Sequence, residues 1–341
     1  MEVKNKIMEQ KYFIGVDVSK DKLDCAIILS NFSVVREKVV KNNDLKIASF
    51  LRAVVRKFKL NDSDILVCCE STGIYNRPLE RVCSDLGIPL WVEQALKIKR
   101  ASTDMRGKSD RKDAIRIAEY AVRYQDRKVL FKKPSDIVEK LNNLSKVRET
   151  LLGQKVAIEN QLREAKTHDP KSHKELLALY RPCLRVIANQ LKKVEIDINT
   201  CVEEQSDLKK NIELIQSIPG VGKQVALQFL ISTNNFTDFE SAKHLACYAG
   251  VVPFANESGT IVKRPRISKM ANMKLKCLLH LAAMAAVRTK TDLQTYYIRK
   301  VAEGKNKMSV INAVRNKLVH RIWAVIQRQT PYTPQREILS N

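Results

Sequence analysis

The stretch Tyr12-Phe13-Ile14-Gly15-Val16-Asp17-Val18-Ser19 is an apolar run that carries one acid near its end. Unbroken apolar residues of this length read as a strand buried on both faces, which delivers the Asp17 carboxylate at its tip. An ionised acid at the edge of a core is costly unless it is paired, hydrogen-bonded or bound to a metal. Its partners have to come from elsewhere in the chain.

Beyond this run, residues 23–28 and 33–40 read as two further strands in a meander. Residues 45–58 place Leu45, Ala48, Leu51, Val54, Val55 and Phe58 at helical spacing. Ile65-Leu66-Val67-Cys68-Cys69-Glu70 is a second apolar run ending in an acid. Ser71-Thr72-Gly73 then turns the chain into a helix that stops near Gly87, and Pro89-Leu90-Trp91-Val92 reads as a short fifth strand. After a polar connection over 101–109, a helix starts at Asp110 with Asp113 on the same face. This order of elements describes an α/β domain with three layers.

Asp17, Glu70, Asp110 and Asp113 thus come from two strand tips and one helix turn. Four carboxylates in one place repel one another and stay ionised together only with cations among them. Mg²⁺, with Mn²⁺ as a substitute, takes oxygen ligands and keeps waters for substrate phosphates. A pair of such ions roughly 4 Å apart serves both the attacking and the leaving oxygen in phosphodiester cleavage. Singly, each acid has a plainer reading, Asp17 as a turn acid and Asp110 as a helix N-cap. Asp21, Asp24 and Asp104 are other acids of this region, and Asp24, in mid-strand, is expected to face solvent. The ordered set favours the metal site.

The whole chain has 341 residues, too many for one ordinary core, and two or three domains are expected. Its apolar content of 44% is that of a globular protein, whereas the formal net charge of +24 is far from balance. Such an excess concentrates polyanions, nucleic acid first and an anionic membrane surface second. No run approaches the roughly 18 apolar residues of a membrane span. No signal-peptide pattern follows Met1, so the chain reads as cytoplasmic, with no membrane partner. The eight cysteines form no Cys-x-x-Cys pair and read as reduced thiols, most of them in apolar surroundings. The five histidines give no ligand spacing, so any metal is expected on oxygen.

Pro134-Ser135-Asp136 opens a stretch with Leu141, Leu144, Val147, Leu151 and Leu152 at three-to-four spacing. A polar break over 167–171 precedes a second such pattern through Ile187, Leu191, Val194, Ile198 and Val202. Two long antiparallel helices, a coiled-coil-like hairpin, are predicted. Domains are placed at 1–131, 132–214 and 215–341. In the last, Ser217-Ile218-Pro219-Gly220-Val221-Gly222-Lys223 resembles the turn of a helix-hairpin-helix element. Gly220 and Gly222 allow the tight turn, the next helix offers N–H groups to a phosphate, and Lys223 adds charge. The same turn also serves packing alone, and it lacks the spacing of a P-loop. From Ile261 onward the only acids are Asp292, Glu303 and Glu337. Lys263, Arg264, Arg266 and Lys269 form a basic run suited to a nucleic-acid backbone.

Gly15-Val16-Asp17-Val18-Ser19-Lys20, Cys69-Glu70-Ser71-Thr72-Gly73 and Lys108-Ser109-Asp110-Arg111-Lys112-Asp113-Ala114 resemble the three acidic blocks of the insertion sequence 110 transposases. Gly250-Val251-Val252-Pro253, Ser258-Gly259 and Ile267-Ser268-Lys269 resemble that family's C-terminal block. The likeness covers nearly the whole chain, excepting the first ten residues and the tail after Pro331. It implies a RuvC-like (RNase H fold) N-terminal domain, shared with Piv-type DNA invertases. It also implies a helical hairpin for subunit association and a helical C-terminal domain whose serine, here Ser258, joins covalently to DNA. Further implications are donor and target double-stranded DNA, an element-encoded noncoding guide RNA, and a dimer or tetramer. The family's composite site takes acids from one subunit and the serine from another, in a bacterial or archaeal, nucleoid-associated setting. Taken alone, Ser258-Gly259 reads as a turn. Where the family commonly has Lys-x-Gly-Asn and later Leu-Arg, this chain has Lys269-Met270-Ala271-Asn272 and Leu275-Lys276.

Two rival readings stand beside this one. One is a metal-only endonuclease of the Holliday-junction type, with Ser258 a mere turn. The other is a non-catalytic nucleic-acid-binding scaffold. A tyrosine recombinase fits less well, because Tyr296, Tyr297 and Arg299 precede His320-Arg321 in the wrong order for that class.

Overall fold

The opening apolar run forms β1 (Tyr12–Val18), the middle strand of a five-stranded sheet ordered β3-β2-β1-β4-β5. The computed structural model describes residues 10–61, 64–101, 110–258, 261–267 and 271–334. β2 (Lys22–Leu29) and β3 (Val34–Lys41) follow in antiparallel register, as short hairpin connections allow. β4 (Ile65–Glu70) is parallel to β1, and β5 (Leu90–Glu93) is parallel to β4. Helix α1 (Asp44–Phe58) leads into β4, and α2 (Arg77–Asp85) leads into β5. Asn43 starts α1 by accepting the Lys46 N–H at 2.9 Å, and Lys59 ends it in the left-handed conformation, φ 49°.

Alternation divides each strand between two cores. Ile14, Val16, Leu23, Val67 and Cys69 face α1 and α2. Phe13, Ile28, Leu66, Cys68 and Trp91 face α4 (Asp110–Arg123), where Ile117, Ala118 and Ala121 meet them. Helices on both faces explain why the strands read as unbroken apolar runs. The antiparallel meander on one side of β1, the parallel strands on the other and the two helical layers make an RNase H-like domain. In this first unit the sequence gives no sign of α3 (Ala95–Ala101), which buries only Ile98 and so shows no periodicity.

Two compact units divide the chain, residues 1–133 and 134–341. The second begins with α5 (Asp136–His168) and α6 (Pro170–Glu203), joined at Asp169. The Asp169 carboxylate accepts the Ser172 N–H at 3.2 Å, and Pro170 takes a first-turn position that has no use for its missing N–H. Arg148 meets Glu195 at 3.2 Å, Gln161 meets Tyr180 at 2.9 Å and Leu162 meets His173 at 3.0 Å, so the helices run antiparallel. At the base of the pair, Leu141, Val194, Ile198 and Val202 enter the core of a helical bundle. That bundle contains α7 (Ser206–Gln216), α8 (Lys223–Ser232), α9 (Ala242–Tyr248), α10 (Met273–Ala286), α11 (Asp292–Ala302) and α12 (Lys307–Arg328).

The bundle is not purely helical. β6 (Pro253–Ser258) and β7 (Ile261–Ile267) form an antiparallel hairpin between α9 and α10. Pro253 and Asn256 are poor strand residues, which hid the first strand from a propensity reading. Cys25, Cys68, Cys69, Cys83 and Cys201 are buried free thiols, whereas Cys183 and Cys277 are exposed. Among the described residues no helix is long and apolar enough to cross a membrane.

Candidate active site

Register decides which acids meet. Asp17 lies directly opposite Asp24 across β1 and β2, and Glu70 lies opposite Glu93 across β4 and β5. By alternation all four belong to the sheet face that α4 covers. Gly15 sets how closely α4 is seated. A Cβ there would stand 2.1 Å from the Ala114 carbonyl oxygen and 2.3 Å from the Ala118 nitrogen, so any side chain would push the helix off the strand. The first turn of α4, with Asp110 and Asp113, is thereby brought to the end of β1.

The predicted acids form one electrostatic group. Burial raises the Asp17 carboxyl above its ordinary range, and repulsion from Asp113, Asp110 and Asp24 raises it further. Burial likewise raises Glu70, with Asp17 and Asp113 adding to the effect. Their bonding differs sharply. Neither Asp17 nor Glu70 has a side-chain hydrogen bond among the described residues. Asp110 accepts from Lys22 Nζ at 2.9 Å, and Asp113 accepts from Arg116 Nη1 at 2.8 Å.

Two further acids belong to this face. Asp24 does not face solvent as expected; it is only 8% exposed and pairs with Lys22 at 2.9 Å. Its alternation with Ala26 and Ile28 puts it beneath α4, and only the β1–β2 register reveals that it opposes Asp17. Glu93 carries no signal in the sequence, because Leu90-Trp91-Val92 reads as a strand without it. It takes the Lys97 ammonium at 3.0 Å, the Gln94 N–H at 2.8 Å and the Tyr120 hydroxyl at 3.2 Å. Glu93 is therefore committed to protein partners.

Among the described residues no group of three or more His, Cys, Asp or Glu side chains stands ready to hold a metal ion. Lys22 and Arg116 engage the two helix acids instead. The chemistry of the donor set nevertheless fits Mg²⁺: oxygen ligands only, a surplus of negative charge, and protein ammonium and guanidinium groups already drawn to the same oxygens.

The predicted residues of the second unit are placed as follows. Gly220 adopts φ +87°, and a Cβ there would meet the Ala286 nitrogen at 2.6 Å, so close packing on α10 requires this glycine. Gly222 precedes α8 with open space around it, and Lys223 Nζ donates to Asn199 Oδ1 at 2.5 Å. Ser258 ends β6 opposite Ile261, and Lys263, Arg264 and Arg266 lie along β7. The side chains of these four, and Lys269 altogether, lie outside the described residues. At the sequence departure, a Cβ on Gly250 would stand 2.3 Å from Ala271 Cβ. Asn272 still caps α10 through the Leu275 N–H at 3.0 Å and donates to the Tyr248 hydroxyl at 2.9 Å.

The sheet order, with an acidic group at the ends of its central strands, places the first unit in the class of RNase H-like domains. Comparison with known proteins narrows it. Residues 14–165 match a DEDD-type transposase model of the insertion sequence 110 group, and residues 212–298 match the Transposase IS116/IS110/IS902 family. The chain belongs to this transposase family. The pilin gene-inverting protein of Moraxella bovis is 26% identical over 330 residues, spanning 94% of this chain and 98% of that protein. The transposase for insertion sequence element IS1111A of Coxiella burnetii is 25% identical over 356 residues, spanning 95% and 92%. T. thermophilus RuvC in complex with a Holliday junction substrate overlaps 36% of this chain and 98% of its own, at 13% identity and a TM-score of 0.28.

Proposed function

We propose that this transposase is a DNA recombinase in which Asp17, Glu70, Asp110 and Asp113 hold Mg²⁺ and Ser258 is the nucleophile. The observation that supports it most is that Asp17 is repelled by Asp113 and Asp110, and Glu70 by Asp17 and Asp113, while neither Asp17 nor Glu70 has a side-chain hydrogen bond among the described residues. Mg²⁺ bound there supplies the positive charge that a phosphodiester under attack needs. Asp17 and Glu70, carried on strands, fix the rigid side of that site. The Ser258 Oγ forms a bond to phosphorus as the bond from phosphorus to a sugar oxygen breaks. The serine gives up its proton and the sugar oxygen gains one. Reversal by another sugar hydroxyl rejoins DNA with no outside energy. Lys263, Arg264 and Arg266 offer positive charge to the phosphorane. Donor and target DNA, an element-encoded guide RNA, and a dimer or tetramer with a composite site complete the reading, which family membership and the net charge of +24 support.

The test is adduct trapping. Ser258→Ala should lose the covalent protein–DNA adduct and recombination together while its melting temperature holds; recombination by that variant contradicts the serine. A metal-only endonuclease is the second reading, favoured by all four acids lying within the first unit. It predicts Mg²⁺-dependent cutting by Ser258→Ala that leaves free DNA ends.

A further inference from the structure

Lys22 opens β2, shortly after Asp17, and its ammonium joins two carboxylates on different elements. It lies 2.9 Å from Asp24 Oδ2 on β2 and 2.9 Å from Asp110 Oδ2 on α4. The two partners are unlike. The Asp24 side chain is 11% exposed and opposes Asp17 across the strand register, whereas that of Asp110 is 61% exposed at the start of a helix. Acids facing each other on one side of an antiparallel pair repel, so the contact with Asp24 answers a need built into the sheet. The contact with Asp110 instead covers an oxygen that a divalent ion would require.

We propose that Lys22 is a resident counter-ion of the acidic site, which holds Asp110 in the metal-free protein and yields it, while keeping Asp24, when a divalent cation binds. The inference rests on the metal-site reading above. Lys22 acts through Asp110 and is a positioning residue. An entering cation has to displace the ammonium from Asp110 and then sits beside it, and both effects weaken binding. Removing the ammonium therefore strengthens binding, by about three- to tenfold for one partly screened charge. Asp24 has the opposite influence, because it is the berth to which the displaced ammonium retires. Arg116 bonds Asp113 within its own helix turn, three residues along α4.

Calorimetric titration of the full-length, DNA-free protein with Mn²⁺ tests this, with the metal-free melting temperature recorded for every variant. Lys22→Met should tighten Mn²⁺ binding about three- to tenfold, with Lys22→Gln repeating the result in a polar side chain. Lys22→Arg, which can keep both contacts, should stay within about twofold of the unaltered protein, and Asp24→Asn should weaken binding. Lys46→Met, the same charge change at an exposed position of α1, should leave affinity unmoved. Unchanged or weaker binding in both Lys22→Met and Lys22→Gln overturns the proposal, and so does an equal gain in Lys46→Met. Failure of the metal site itself looks different: Mn²⁺ then fails to bind the unaltered protein, or binds Asp17→Asn just as well.

Discussion

The acidic site is made of two unlike halves. Asp17 and Glu70 sit on neighbouring parallel strands, half-buried, raised by burial and without a hydrogen-bond partner among the described residues. Asp110 and Asp113 sit on one helix turn and are held by Lys22 and Arg116. The strand acids have fixed positions and carry an electrostatic cost in the absence of metal. The helix acids are paired with cationic side chains, which an entering ion would have to displace on the proposed reading. Such a division suits a site that must stay assembled without its ion yet admit it when substrate arrives.

The largest expected effect comes from breaking the rigid half. Asp17→Asn should cut recombination by roughly a hundredfold or more, as loss of a metal ligand does. It should also raise the metal-free melting temperature by about 2 to 4 °C, because one repelling half-buried charge is gone. Loss of activity with a lowered melting temperature would instead mark Asp17 as a structural acid. Next comes the joint between the halves. Gly15→Ala places a methyl group against the Ala114 carbonyl and should cost about 1–3 kcal/mol by urea unfolding. It should also weaken Mn²⁺ binding, since α4 can no longer lie on β1. An unaltered affinity would show that the halves are not joined there.

The smallest effect is on pH. The ordinary values are 3.8 for Asp17 and 4.5 for Glu70, and the folded protein raises both. The metal-free native state therefore binds these protons more tightly than the unfolded chain. Stability from these groups is highest below the ordinary values and falls as pH rises through the raised ones. Compared with a double variant Asp17→Asn/Glu70→Gln, the unaltered protein should lose urea stability progressively as pH rises from about 4 toward neutrality. A gap that stays constant with pH would contradict the burial and repulsion assigned to the pair.

The strand-borne half is more legible in the sequence than the helix-borne one. An apolar run ending in an acid announces a buried strand with a carboxylate at its tip, and both β1 and β4 fit that description. The two long helices were equally plain from their periodicity, and a single capping residue, Asp169, replaces the expected five-residue break. What could not be read depends on register and close approach. One strand's alternation does not say which face is covered, so the sequence alone leaves Asp24 facing solvent. The seating of α4 on Gly15 needs the pairing of a strand glycine with Ala114 and Ala118, about a hundred residues away. Lys22 is one of many lysines until the fold brings Asp110 to it.

The central claim is that the two halves share a divalent ion. Its most direct test is a crystal of the full-length protein soaked in Mn²⁺, with anomalous difference density recorded. A peak is expected that touches Asp17 and at least two of Glu70, Asp110 and Asp113, with the Lys22 ammonium drawn back toward Asp24. No peak at saturating Mn²⁺, or one bound away from Asp17, would contradict it.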